Sequence, residues 1–104
     1  MALIVQKYGG TSVADLARIR HVAERVAKAY TAGNGVVVVL SAMAGVTDQL
    51  TRLAREITSE PNRRELDVLL ATGEQTTVSL LCITLESMGY PARSLLGYQA
   101  EIVT

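Results

Sequence analysis

A chain of 104 residues has room for one small domain, and an apolar share of 49% allows it a packed core. Four Tyr with neither Trp nor Phe require that core to be aliphatic. Ten acidic residues balance ten basic ones, so no charge excess points to nucleic acid or an anionic membrane, and the single cysteine, Cys82, excludes an internal disulfide framework.

A core of Val, Leu, Ile and Ala suits an α/β layered protein. Residues 2 to 6 (ALIVQ) read as a buried strand, apolar and β-branched, stopped by Gly9 and Gly10. The opening MALIV is too short for a signal-peptide core or a membrane span, so a cytoplasmic protein is the expectation. Residues 13 to 30 take a helical period, with Leu16, Ile19, Ala23, Val26 and Tyr30 on one face. Ser12 and Asp15 form an S-x-x-D capping pattern at its start, and Gly33 or Gly35 offers a left-handed cap at its end. Residues 36 to 40 (VVVVL) form the clearest strand. Their unbroken apolar run predicts cover on both faces, as in a parallel sheet.

Val46, Leu50, Leu53, Ala54 and Ile57 mark a second helix, ended near Ser59 and Pro61. A longer helix is expected from 62 to 88, with Gly73 inside its apolar stripe and Gly89 at its end. A glycine inside a helix costs roughly 1 kcal/mol relative to alanine, so Gly73 needs a reason: close packing, a kink or a ligand. PARSLL (91 to 96) is a third strand candidate and EIVT (101 to 104) the start of a fourth. Cys82 lies in an apolar run and reads as a buried, inert thiol. His21, Arg63 and Arg64 read as surface residues.

This order predicts right-handed crossovers in a mainly parallel sheet with helices on its faces. Ligands of such sheets bind outside the carboxyl ends of the strands, where KYGGTS, SAMAGVT and LLGYQ should lie side by side. The first loop is not a Walker A motif, because Lys7 precedes the glycines. Its chemistry still suits an anion: Gly9 and Gly10 admit a ligand to the backbone, amides at a helix start carry partial positive charge, and Lys7, Thr11 and Ser12 add donors. Spacing alone leaves open an ordinary capped turn with Lys7 in solvent. In the second loop Ser41 ends the strand, Gly45 turns the chain, and Thr47 or Asp48 can cap the next helix. Glu74, beside Gly73, can bind an ammonium group or simply face water.

Together, KYGGTSVAD, VVVLSAMAGVTDQL and LLATGEQTTVSLL resemble the aspartate kinases, within the amino-acid kinase superfamily. The resemblance runs through GYQAEIVT, although Glu101 stands where that family commonly has glycine. It implies a three-layer α-β-α sandwich, with residues 1 to 104 as the amino-terminal, substrate-side portion. The nucleotide-binding half and the regulatory ACT domains would lie beyond it. It implies transfer of the γ-phosphoryl of ATP, carried with Mg2+, to the side-chain carboxylate of L-aspartate, the first step towards lysine, threonine and methionine. Lys7 would stabilise the phosphoryl group, Gly9 and Gly10 would supply amides, and Thr11 and Ser12 would line the same loop. Ser41 and Thr47 would contact aspartate, and Glu74 would hold its α-ammonium. No resident protein-bound metal, nucleic acid or membrane is implied. The chain alone is expected to be inactive and to form a homo-oligomer or need the rest of a kinase chain. Rival readings are a non-catalytic anion or amino-acid binding module, an assembly fragment, or another amino-acid kinase.

Overall fold

Two strands, three α-helices and a 3-10 turn account for the regular structure between residues 2 and 95, the part that the computed structural model describes. Strand β1 (Leu3–Tyr8) leads through the 3-10 turn Gly10–Val13 to helix α1 (Leu16–Thr31). Strand β2 (Gly35–Leu40), helix α2 (Val46–Ile57) and helix α3 (Arg63–Ser87) follow. β1 and β2 pair in parallel, with Leu3 opposite Gly35 and Tyr8 opposite Leu40. Parallel neighbours need a crossover, and α1 supplies it.

Local chemistry explains the boundaries. Ser12 does not start α1. Its amide donates to the Gly9 carbonyl (3.1 Å) within the 3-10 turn. Asp15 is extended and takes the N-cap, its carboxylate accepting the Arg18 amide at 2.8 Å. A charged acceptor at the positive end of a helix is the stronger cap there. Gly33, with φ of 94°, turns the chain after α1, while Gly35 begins β2. The Asn34 side-chain amide donates to the Ala29 carbonyl at 3.0 Å and satisfies one orphan acceptor. α3 starts at Asn62, which accepts the Glu65 amide at 3.1 Å. It ends in a Schellman motif: Gly89 has φ of 90°, its amide donates to Glu86, and the Tyr90 amide donates to Leu85.

The core lies on one side of the sheet. Ile19, Val22, Ala23 and Val26 of α1 meet Leu81 and Leu85 of α3 over Val13 and Leu40. Tyr8, Val36 and Val38 pack against this cluster. The strands alternate accordingly, and Leu3, Val5, Val37 and Val39 stand on the opposite face, 71%, 64%, 46% and 47% exposed. Cover on both faces of β2 was expected. Among the described residues only one face is covered, because α1 and α3 pack on the same side and α2 packs on α3 instead of on the sheet.

α3 is long and apolar enough to cross a membrane. It nevertheless carries Glu74 at its middle and packs against both α1 and α2, as the central helix of a folded domain does. Among the described residues, the third strand expected over PARSLL does not form across residues 91 to 95, which find no ladder partner there and begin with a proline that cannot donate. Residue 96, the rest of LLGYQ, Glu101 and the expected fourth strand lie outside the described residues.

Candidate active site

Because the strands are parallel, their loops leave at the same edge. β1 runs into Gly9–Gly10 and β2 into Ser41–Gly45. The Ser41 amide donates to the Tyr8 carbonyl at 3.2 Å, which ties the two loops at their roots. Gly10 then lies directly against the second loop: a Cβ placed on it would sit 3.0 Å from the Ala42 carbonyl oxygen and 3.5 Å from the Ala44 nitrogen. A side chain here would force the second loop to shift by a few tenths of an ångström, and glycine avoids that cost. A third segment arrives from α3. A Cβ on Gly73 would stand 2.9 Å from Ala42 Cβ and 3.1 Å from Val46 Cγ1. Close packing, one of the three reasons open for Gly73, is realised. Thus the first loop, the second loop and the middle turn of α3 converge on Ala42, which is buried.

Lys7 is exposed and, by strand alternation, stands on the open face beside Val39, its register partner. Gly9 is exposed and Gly10 is half-buried. A 3-10 turn leaves its first amides without an internal partner, and among the described residues no backbone acceptor is found for those of Gly10 and Thr11. Thr11 and Ser12 border a groove of about 600 Å³ on the α1 side, together with Tyr8, Arg18, Arg25 and Lys28. Their side chains and that of Lys7 therefore serve opposite sides of one loop. Ser41 is half-buried, and Thr47 is exposed in the first turn of α2. Neither Thr47 nor Asp48 caps that helix. Gly45, with φ of 85°, holds the N-cap position with no side-chain bond, and Asp48 lies in the first turn, where its charge suits the helix dipole. Glu74 is exposed and borders a second groove of about 600 Å³ along the free edge of β2. Among the described residues no hydrogen bond or ion pair joins the Lys7, Ser41, Thr47 and Glu74 side chains.

Arg18 escapes a reading of the motif alone. Its guanidinium donates to the Thr11 carbonyl at 3.1 Å and so braces the glycine loop from the first turn of α1. An arginine three residues past the capping aspartate was the available signal. His21 is exposed, 3.9 Å from Glu24. Cys82 is half-buried, and burial, followed by the nearby Glu86 carboxylate, pushes its thiol above the ordinary range.

The described residues thus form a parallel α/β unit whose first strand ends in Lys-Tyr-Gly-Gly, with the second loop packed on the turn that follows and α3 packed on that second loop, at the strand edge where α/β layered domains carry their ligand sites. The chain belongs to the amino acid kinase family, whose profile matches residues 2–103. It is 53% identical over all of its 104 residues to an aspartokinase from Geobacillus stearothermophilus and 55% identical to an aspartate kinase from Pseudomonas putida. It spans 26% and 25% of those two proteins, about a quarter of their length. The crystal structure of aspartate kinase from Synechocystis superposes with a TM-score of 0.87 at 50% identity, covering 89% of this chain and 16% of that one. The fold is thus that of aspartate kinase over this segment.

Proposed function

We propose that this chain is the amino-terminal, substrate-side portion of a cytoplasmic aspartate kinase, which makes 4-phospho-L-aspartate from ATP and L-aspartate on the route to lysine, threonine and methionine. One observation carries the reading: in a chain 53% identical to an aspartokinase, the three segments that resemble aspartate kinase motifs meet at a single point, Ala42, at the carboxyl edge of the sheet. The attacking group is a carboxylate, ionised at neutral pH with a pKa of about 4, so no general base is required. The task is to hold two anions together and to absorb charge spread over the transferring phosphoryl oxygens. Lys7 supplies a full positive charge. The backbone of Gly9 and Gly10 supplies amides that need no reorganisation as the charge develops. Thr11 and Ser12 line the same loop, and the Arg18 brace on Thr11 keeps the loop in shape. Ser41 and Thr47 contact the aspartate, and Glu74 pairs with its α-ammonium. Magnesium enters with the nucleotide as part of the substrate.

The matched relatives are about four times as long, so residues 1 to 104 alone are expected to turn over little ATP. They are expected to self-associate or to need the remaining kinase chain. The test is a coupled assay of aspartate-dependent ATP consumption. It is run on the full-length gene product and on a hybrid carrying these residues in place of the matching segment of the Geobacillus stearothermophilus aspartokinase. Activity is expected in the hybrid, with a loss of at least about a hundredfold in Lys7→Ala. A folded hybrid without activity, or a Lys7→Ala variant that keeps it, overturns the proposal.

A further inference from the structure

Gly73 stands alone in the long helix as a residue without a side chain, in a setting where alanine is intrinsically preferred. Its surroundings explain its presence. A methyl group there would lie 2.9 Å from Ala42 Cβ and 3.1 Å from Val46 Cγ1, well inside the usual carbon–carbon separation of about 3.5–4.0 Å. Ala42 is the one fully enclosed member of the loop from Ser41 to Gly45. It is held twice, on its carbonyl by Gly10 and on its methyl by Gly73. The Gly73 carbonyl is itself engaged by Thr77 Oγ1 at 3.1 Å, and Thr77 is completely buried. The contact therefore belongs to a packed, hydrogen-bonded turn and has little room to give.

We infer that Gly73 is a positioning residue for the aspartate site. By letting α3 rest on Ala42 and Val46, it sets the separation between Glu74 on one side and Ser41 and Thr47 on the other. This inference rests on the aspartate kinase reading, which gives Glu74 the substrate ammonium and gives the loop residues the remainder of the amino acid. Gly73 touches no substrate. It acts through the loop, and the distance it fixes is the one that a small dicarboxylic amino acid has to span.

Added bulk at residue 73 drives the loop away from Glu74. Removing the Ala42 methyl relieves the closer contact, and Val46 Cγ1 at 3.1 Å then has to give by only a few tenths of an ångström. The experiment is steady-state kinetics on the full-length gene product in four forms: unchanged, Gly73→Ala, Ala42→Gly, and the two combined. Gly73→Ala is expected to raise KM for aspartate about tenfold or more, with kcat and KM for ATP changed less than about threefold. Ala42→Gly in the same chain is expected to recover most of the loss. An unchanged KM for aspartate in Gly73→Ala overturns the inference, as does a double variant no better than the single. If Gly73→Ala does not fold, the double variant is read instead, and its failure to fold also overturns the inference. An unchanged protein with no aspartate-dependent turnover refutes the kinase reading itself, and that outcome is distinct from all of these.

Discussion

Replacing Ile19 and Val5 separately by alanine measures how one-sided the fold is. Ile19 is completely buried in α1, whereas Val5 is 64% exposed in β1. Ile19→Ala removes three carbons. At about 0.8 kcal/mol per buried carbon the transfer loss is roughly 2.4 kcal/mol. A residual cavity of about 50 Å³, at about 24 cal/mol per Å³, adds roughly 1 kcal/mol. The expected loss is therefore about 3–4 kcal/mol, a large share of a small domain's stability of about 5–15 kcal/mol. Val5→Ala removes two carbons that are only about one-third buried, which gives roughly 0.6 kcal/mol by the same coefficient. Urea unfolding followed by far-UV circular dichroism, with linear extrapolation, reads both. Equal losses would refute the reasoning, because they would mean that the face bearing Leu3, Val5, Val37 and Val39 is buried in solution.

Three further outcomes follow from the local geometry. Asp15→Ala is expected to lose about 1 kcal/mol in the same unfolding measurement, because the Arg18 amide loses its acceptor, while Ser12→Ala should lose clearly less. Equal effects would restore Ser12 as the cap. Gly89→Ala forces a side chain into the left-handed region at φ of 90° and is expected to cost about 1–2 kcal/mol; no loss in the same unfolding measurement would mean that the Schellman turn can be replaced. The folded state keeps the Cys82 proton above the thiol's ordinary value of 9.0. The stability linked to this proton is complete below that value and is lost as pH rises through the raised one. Alkylation of the native chain should therefore show its pH midpoint above 9.0, and a midpoint at or below it would contradict the burial of Cys82.

Much of the architecture was legible because the signals were local. The apolar runs located β1 and β2, and the helical period located α1, α2 and α3. Gly33 and Gly89 were readable as turn residues because their conformations suit glycine. The start of α1 was misread, since Ser12 and Asp15 both suit a cap and only the 3-10 turn between them decides which is used. PARSLL had strand composition, but a strand also needs a neighbour, and composition does not report one. The Val36–Leu40 run correctly implied a parallel sheet. It could not say which residues would cover its second face. The candidate site is legible in the sequence only as motifs, while the packing of Gly10 and Gly73 on Ala42 is not, because those contacts join residues far apart in the chain. Glu74 shows the same limit: neighbours in sequence leave a carboxylate in mid-helix ambiguous, and the strand whose groove it borders, β2, lies more than thirty residues earlier.

The pairing of β1 with β2 also makes the strand a two-position selector for charge. Lys7 shares its side of the sheet with Leu3 and Val5 because it is offset from them by an even number of positions, four and two. One residue inserted or deleted between Leu3 and Lys7, with the pairing of the upstream residues kept, would turn the ammonium towards α1 and α3. The aliphatic cluster there offers it no partner. The odd-or-even count along these six residues thus decides which face of the sheet carries the charge. Length changes should be far better tolerated between Thr58 and Glu60, where the exposed connection carries no facing information.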